Sequence, residues 1–330
     1  MMINKSDNNC KYRVLVTGAN GFVGQALCKG LIKQGFDVLG AVRNDNVNLD
    51  FLTTKVIIGD INNQTNWAEV LINVDFIIHL AARVHIMNEV ALDPIDIYRK
   101  INVEGTLNLA KQASKIGVKR FIYLSSIKVN GEITLPGIPF TENDKHIPID
   151  PYALSKYEAE RNLLQLAKET DLEVVIIRPP LVYGPKVKAN FLRMVKWLYK
   201  GVPLPFGAIH NKRSLIALDN LVDFIITCVK HPSAVNEVFL VSDSDDISTT
   251  ELLNRVAISL GKKSRLLPVN QQVLELCLKL VGKRSLAQRL CSSLQVDISK
   301  AKKILNWTPP VSMNYELNKI SQQFSDSKSS

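Results

Sequence analysis

Residues 13–24 read RVLVTGANGFVG, and this stretch decides the fold. Its first five residues form a short β-branched run, three glycines follow, and residues 22–33 carry apolar side chains at helical spacing. A strand, a glycine turn and a helix in this order let the backbone approach a pyrophosphate closely, with the anion at the helix N-terminus. The stretch therefore predicts a dinucleotide-binding loop. The alternative, three glycines in an ordinary turn, leaves the flanking strand and helix without a reason.

Outward from this loop, strand-like and helix-like segments alternate. Asp150 and Pro151 offer an N-cap and a first-turn proline for a helix that runs to about Thr170. Repeated β-α-β units of this kind predict a parallel sheet covered on both faces. The other predicted strands are residues 36–42, 55–58, 76–80, 120–124 and 173–178, and the other predicted helices are residues 66–71, 94–116, 220–229, 249–260 and 298–305.

Beyond Pro179 the connections become rich in proline and glycine, and the elements become shorter. The sequence thus predicts an α/β protein: a Rossmann-type, doubly wound parallel sheet with a smaller, partly discontinuous C-terminal substrate lobe. The predicted division is a dinucleotide-binding domain at residues 1–179, the lobe mainly at residues 180–320 with some segments returning to the first domain, and a disordered tail at residues 321–330.

The composition excludes several classes of protein. Apolar residues make up 46% of the 330 residues and charged residues 22%, which excludes a disordered or collagen-like chain. The net charge of +10 suits an anionic partner, but no basic cluster is interleaved with aromatic residues. Nucleic acid is therefore not expected, and phosphorylated small molecules fit better. The five cysteines are scattered and odd in number, which predicts a reducing, cytoplasmic location.

No integral membrane segment is predicted, because no stretch approaches the ~20 apolar residues that span a bilayer. The best candidate for membrane contact is residues 273–281, followed by Gly282, Lys283 and Arg284. An ordinary core helix is the favoured interpretation of that stretch. The histidines show no metal-ligand spacing, so no metal is expected.

A second group of residues can carry acid-base chemistry. Tyr152 and Lys156 lie four apart near the start of a predicted helix, so they share one face. A phenol with an ordinary pKa near ~10 is a poor base at neutral pH, but an adjacent ammonium and a cationic nicotinamide both favour the phenolate. Ser126, just after a strand, can hydrogen-bond the reacting oxygen. The Tyr-Lys spacing also occurs by chance, but with Ser126 and the glycine loop it predicts a catalytic site.

In order and spacing these residues resemble the extended short-chain dehydrogenases/reductases, and among them the NAD-dependent nucleotide-sugar epimerase/dehydratase family, UDP-hexose 4-epimerases included. The resemblance covers residues 12 to about 310. It implies NAD as cofactor, a UDP-sugar as substrate and a homodimer. Further matching blocks are HLAA at 79–82, NVEGT at 102–106, RPPLVYGP at 178–185, RSLIALD at 213–219, DISKA at 297–301 and LNW at 305–307.

The resemblance also implies roles for single residues. Asp60 matches an acid that contacts adenine, although a loop aspartate is an equal reading. Arg213 matches an arginine that binds the substrate diphosphate, the alternative being a surface salt bridge, and Arg289 is a possible second contact. Arg43 stands where a carboxylate would hold the ribose of NAD, so NADP is also possible unless Arg43 is simply solvated. The expected catalytic residues are Ser126, Tyr152 and Lys156. The expected cofactor contacts are Gly18, Asn20, Gly21, Phe22, Val23, Gly24, Arg43, Asp60, Ile61, Leu80, Ala81, Ala82, Asn102, Tyr152 and Lys156, and the expected substrate contacts are Ser126, Tyr152, Arg213 and Arg289.

Departures from the family narrow the activity. Dehydratases of the family have Asp-Glu after the catalytic hydroxyl, but this chain has Ile127-Lys128, and Asn130 replaces a frequent tyrosine. Residues 125–132 look like a branch of bacterial surface-polysaccharide enzymes. The leading prediction is a UDP-hexose 4-epimerase, of UDP-glucose or UDP-N-acetylglucosamine type, that works through a 4-keto sugar in O-antigen precursor synthesis. An NAD(P)H-dependent reductase of a UDP-4-keto-6-deoxyhexosamine stays open, favoured by Arg43. A non-catalytic dinucleotide sensor is more remote, since such proteins commonly lose the tyrosine or lysine.

Overall fold

The protein is described by a computed structural model covering residues 11–46, 49–84, 94–135, 137–144, 146–187 and 189–329. Its strands are β1 Arg13–Thr17, β2 Asp37–Val42, β3 Thr54–Ile57, β4 Phe76–His79, β5 Arg120–Leu124, β6 Glu173–Arg178, β7 Leu181–Tyr183, β8 Leu215–Ala217 and β9 Val238–Leu240. Seven of them form one parallel sheet in the order β3-β2-β1-β4-β5-β6-β9. The order reverses direction between β1 and β4, which confirms the predicted doubly wound fold and places a ligand crevice at the carboxyl ends of these two strands.

Helices cover both faces of the sheet because successive strand residues point to opposite sides. Val14 and Val16 pack in one core with Leu27 of the first helix, whereas Leu15 packs in the other core with Leu109. The helices are α1 Phe22–Lys33, α2 Pro94–Tyr98, α3 Thr106–Ile116, α4 Pro151–Glu169, α5 Ala189–Tyr199, α6 Leu218–Lys230, α7 Thr249–Ser259, α8 Gln271–Leu280, α9 Arg284–Cys291, α10 Ser299–Leu305 and α11 Met313–Ser329.

The predicted helix at residues 94–116 is confirmed, with one local change. Between α2 and α3, residues Arg99–Gly105 widen into a π-helical segment. A Cβ on Gly105 would lie 2.7 Å from the Ile61 side chain, so this segment passes close to the loop after β3. Short π-helical segments often occur at functional sites, and this one carries Asn102.

The second half of the chain builds the smaller lobe but also completes the first sheet. Strand β9 pairs in parallel with β6, and Val222 of α6 packs against Gly30 of α1. Strands β7 and β8 form a separate parallel pair. Around them Tyr183, Phe191 and Leu317 belong to a third core, built with α5, α7 and α11.

Two predicted local structures are wrong. Residues 66–71 form turns rather than a helix, because the buried pair Trp67 and Leu71 closes one turn and Asn73 then adopts a positive φ. Residues 321–329 of the predicted disordered tail belong to α11, whose Leu317, Ile320 and Phe324 are buried at helical spacing. The buried side chains Leu317, Ile320 and Phe324 therefore pack this helix against the third core.

The expectation of an ordinary core helix at residues 273–281 is also wrong. Helix α8 lies on the surface, and Leu274 is its one buried residue. Within the described ranges, no helix combines the length and the apolar content needed to cross a membrane.

Candidate active site

The loop between β1 and α1 requires glycine for steric reasons. Gly18 has a φ of +67°, and a Cβ there would lie 3.0 Å from the Ala81 nitrogen. A Cβ on Gly24 would lie 2.1 Å from the Gly18 carbonyl oxygen, so α1 can approach the loop only at a glycine. Gly21 caps α1 without a side-chain hydrogen bond, which leaves the first-turn N–H groups for an anion. These features fit a dinucleotide pyrophosphate.

A buried network ties the ends of β1 and β4 together beside this loop. The Thr17 hydroxyl accepts hydrogen bonds from the backbone nitrogens of Leu80 and Ala81, both at 3.2 Å. With both lone pairs used, it donates to His79 Nδ1 at 2.8 Å, and His79 Nε2 donates to Thr106 Oγ1 at 3.0 Å. Burial, aided by the charge of Lys156, lowers the pKa of His79 to about 3. The neutral histidine thus orients Thr17, which holds Leu80 and Ala81, where cofactor contacts are expected. From the sequence, His79 is known only as part of a motif block.

Asn102 holds the neighbouring wall of the crevice. Its Oδ1 accepts from the Arg83 nitrogen at 2.8 Å, and its Nδ2 lies 3.1 Å from the Arg83 carbonyl and 2.9 Å from Ser155 Oγ. Ser155 in turn donates to the Tyr152 carbonyl at 2.7 Å. The side chain therefore joins the loop after β4 to α4, and its expected contact with the cofactor stays a prediction.

Ser126 and Tyr152 meet where β5 ends and α4 begins. Asp150 caps α4 by accepting from the Ala153 nitrogen at 3.0 Å, which sets the first turn. Burial raises the pKa of Tyr152 to about 12, a hydrogen bond with Ser126 opposes this, and Asp150 and Tyr98 add to it. The phenol is therefore a proton donor in the protein alone, and the phenolate expected beside a cationic nicotinamide stays a prediction. Tyr98, which the sequence analysis missed, packs its ring edge-on at 6.2 Å from the Tyr152 ring.

Lys156 follows Tyr152 by one turn of α4 and is 2% exposed. Its Nζ donates to the Leu124 carbonyl at 2.9 Å and lies 4.4 Å from the centre of the Tyr123 ring. Burial lowers the pKa of Lys156 to about 7, with partial opposition from Glu160. The group consequently changes charge near neutral pH, where a nearby cofactor or substrate can shift it.

A buried ion pair supports the base of α4. Arg178 of β6 contacts Glu160 at 2.5 Å and also donates to Asn130 Oδ1 at 3.0 Å. Asn130 Nδ2 donates to the Thr141 carbonyl at 2.7 Å. The asparagine that departs from the family pattern is thus part of the structural frame behind the catalytic residues.

Arg43 and Asp60 form an ion pair with each other at the far end of the crevice. Arg43 follows β2, Asp60 lies beyond β3, and their side chains meet at 2.9 Å while remaining 67% and 71% exposed. This ion pair makes NADP a less suitable cofactor than NAD. The Asp60 carboxylate offsets the positive charge of Arg43, which the 2′-phosphate of NADP would need. Ile61, next to Asp60, is buried against Gly105.

Arg213 lies in the smaller lobe, two residues before β8. Its Nη1 donates to the Ser292 carbonyl at 3.0 Å, and burial lowers its pKa. Within the described ranges no carboxylate pairs with it, so the surface salt bridge considered for Arg213 does not form. Arg289 is exposed on α9, and its charge helps to lower the pKa of Glu132. Glu132 also accepts a hydrogen bond from Gln288 Nε2 at 3.0 Å. The substrate contacts predicted for both arginines remain predictions.

The similarities to known proteins cover both halves of the chain. The model of the NAD dependent epimerase/dehydratase family matches residues 14–242. A UDP-glucose 4-epimerase from Vibrio cholerae is 48% identical over 320 residues, which is 96% of this chain and 97% of that protein. The N-acetyl-alpha-D-glucosaminyl-diphospho-ditrans,octacis-undecaprenol 4-epimerase of Escherichia coli O157:H7 is 30% identical over 301 residues, 87% of this chain and 88% of that one. The crystal structure of a UDP-glucuronic acid 4-epimerase from Bacillus cereus in complex with NAD matches with a TM-score of 0.76 at 22% identity, covering 95% of this chain and 99% of that one.

Proposed function

Because the chain belongs to the NAD-dependent epimerase/dehydratase family and is an NAD-dependent enzyme, we propose that it is a UDP-hexose 4-epimerase that works through a transient 4-keto sugar. The observation that carries the proposal is the hydrogen bond between Ser126 and Tyr152 at the carboxyl end of β5, where the buried Lys156 also donates to the Leu124 carbonyl. The 48% identity to a UDP-glucose 4-epimerase across 96% of this chain supports UDP-glucose as the first substrate to try.

Proton transfer at the sugar 4-oxygen is the task of Tyr152. NAD, when bound, supplies the hydride acceptor and donor for C4, and its positive charge favours the phenolate. In the oxidising half, the phenolate oxygen would take the proton of the sugar 4-hydroxyl. In the reducing half, the phenol would return that proton to the oxygen of the 4-keto sugar. Ser126 donates a hydrogen bond to the same sugar oxygen, and the Lys156 ammonium stabilises the phenolate.

A 4-epimerase must also hold its substrate while the sugar turns over. Arg213 is half-buried and carries no carboxylate partner in the described part of the chain, and a guanidinium fork suits a diphosphate. We assign it the diphosphate, so that the sugar rotates about a fixed anchor, with Arg289 as an outer contact.

The wider setting belongs to the same proposal. The resemblance of residues 125–132 to surface-polysaccharide enzymes supports a role in O-antigen precursor synthesis. Cys28, Cys228, Cys277 and Cys291 are free thiols, which suits the cytoplasm. A homodimer is proposed on the family resemblance alone.

The first experiment identifies the dinucleotide that denaturation releases from freshly purified protein, and its molar ratio to the chain. The same preparation is then given UDP-glucose, and separately UDP-N-acetylglucosamine, without added cofactor. We expect near-stoichiometric NAD(H) and conversion of at least one sugar to its 4-epimer. An empty protein that binds NADPH and reduces a UDP-4-keto-6-deoxyhexosamine would overturn the epimerase in favour of the reductase that Arg43 suggested.

A further inference from the structure

Helix α8 has an apolar face that points away from the protein. Val273, Leu276, Leu280 and Val281 are 53%, 58%, 77% and 65% exposed, and Cys277 between them is also exposed. These positions follow the spacing i, i+3, i+4, i+7 and i+8, which places them on one stripe of the helix. An exposed apolar residue by itself is ordinary, but a complete stripe indicates a surface that something covers.

The opposite face of α8 already accounts for its attachment to the lobe. Leu274 is buried and packs with Ile209 and Cys291, and the partly buried Leu278 joins the same cluster. Gly282, at a φ of +72°, then turns the chain into α9, where Leu286 adds another exposed apolar side chain. The attachment of α8 to the lobe therefore does not require the side chains of the outer stripe.

The stretch of sequence that contains the stripe is strongly basic. Residues 262–289 contain seven basic residues and one acidic residue, a net charge of +6 out of +10 for the whole chain. The acidic residue, Glu275, lies 3.6 Å from Lys279 of the same helix. Lys283 and Arg284 are exposed at the turn beside Leu280 and Val281. The basic residues are Lys262, Lys263, Arg265, Lys279, Lys283, Arg284 and Arg289.

We propose that the α8–α9 hairpin docks the protein on the surface of an anionic phospholipid bilayer. Apolar side chains on one helix face enter the boundary between headgroups and acyl chains, and flanking lysines and arginines attract anionic headgroups. A second copy of the chain is the less suitable occupant, because two such hairpins would bring like charges together.

The test is flotation of the full-length purified protein with vesicles of phosphatidylcholine, with or without phosphatidylglycerol. We expect flotation with the anionic vesicles that weakens as salt is added. Replacing both Leu276→Glu and Leu280→Glu should lower the bound fraction at least about tenfold, since each buried leucine adds to the partition in proportion to its apolar area. The matched control is Ile258→Glu, at a position on α7 that is 74% exposed, and it should float like the unchanged protein.

A charge variant, Lys283→Glu with Arg284→Glu, tests the electrostatic half and should lose binding to anionic vesicles. Thermal unfolding midpoints of all variants establish that each is folded. Equal flotation with both kinds of vesicle, or flotation that survives the double leucine variant, would overturn the proposal. Absence of flotation with either kind of vesicle would also overturn it. If that protein forms a concentration-dependent dimer that the leucine variant lacks, the stripe is instead an interface between two copies of the chain.

Discussion

The two ends of the crevice differ in how far their ionisable side chains are exposed to solvent. At the catalytic end, formed by Ser126, Tyr152 and Lys156, the charged or ionisable groups are enclosed, and burial moves the pKa of Tyr152 up and that of Lys156 down. At the end where the adenosine of NAD is expected, Arg43 and Asp60 form an ion pair on the surface, each more than half exposed. Burial amplifies electrostatic interactions and solvent screens them. The chemistry should therefore depend steeply on single residues, and the choice of dinucleotide only weakly.

The largest effect should come from Tyr152→Phe. Removal of the hydroxyl takes away the proton donor and acceptor, so kcat should fall by roughly 10²–10⁴-fold. Bound NAD should remain, because the phosphate loop is unchanged. Tyr157→Phe on the same helix, whose ring lies beside Arg161, is the control and should be nearly fully active. A Tyr152→Phe enzyme that turns over normally would break the comparison at its catalytic end.

Glu160→Gln should be the most destabilising single change at this end. It leaves the Arg178 guanidinium buried without a carboxylate, which typically costs ~3–5 kcal/mol. Glu158→Gln removes the half-exposed partner of Arg99 on the same helix and should cost at most ~1 kcal/mol. Urea denaturation of both variants gives the two values, and similar losses would show that burial does not set the difference.

The pH dependence of stability should report on Lys156. Its folded pKa of about 7 lies below its ordinary value of 10.5, so the unfolded chain binds more protons between these values. The free energy of unfolding should therefore rise with pH in this window, by up to about 1.4 kcal/mol per pH unit. Burial raises the pKa of Glu316 to about 7, so this group lowers the free energy of unfolding as pH rises toward 7. Burial raises the pKa of Cys28 to about 12, which has the same effect above about pH 9. The rise due to Lys156 is therefore clearest between roughly pH 7.5 and 9.

Urea titrations within that window measure the rise, and Lys156→Met supplies the matched baseline. The variant should lose the rise because it carries no titrating group at this position. An unchanged slope in Lys156→Met would assign the effect to another group.

The smallest effect should follow Arg43→Ala. An exposed pair contributes about 0–1 kcal/mol, so the Kd for NADH should change by no more than roughly fivefold. The Kd for NADPH should rise more, because a 2′-phosphate loses the nearest guanidinium. Fluorescence titration with both dinucleotides measures the ratio of the two Kd values. Complete loss of NADH binding would show that NADH affinity depends strongly on Arg43.

The features predictable from sequence are those fixed over short distances. Gly18 and Gly24 follow from the steric needs of one turn, and the Tyr152–Lys156 spacing follows from helix geometry. The hydrogen-bonded chain from Thr17 through His79 to Thr106 was not predictable, because its members lie 62 and 27 residues apart and meet only once the sheet forms.

Environment is the second limit on prediction. Arg43 and Asp60 were each assigned to the cofactor separately, and their mutual contact depends on the adjacency of β2 and β3. The apolar pattern of residues 273–281 is the same for a core helix and for a surface helix with an exposed apolar stripe. The pattern alone therefore favours a core helix, whereas α8 lies on the surface. The shifted pKa values likewise arise from burial that no spacing reveals.

The position of β9 has a consequence for how the chain is made. Because Val238–Leu240 forms the last strand of the first sheet, the ribosome must synthesise about three quarters of the protein before that sheet can close. Until then β6 presents an open edge that can pair with a strand of another chain. A gene fragment that ends at residue 179 would carry every proposed catalytic residue and should still yield an aggregation-prone product. Residues beyond 179 are therefore needed to complete the first sheet as well as to build the smaller lobe.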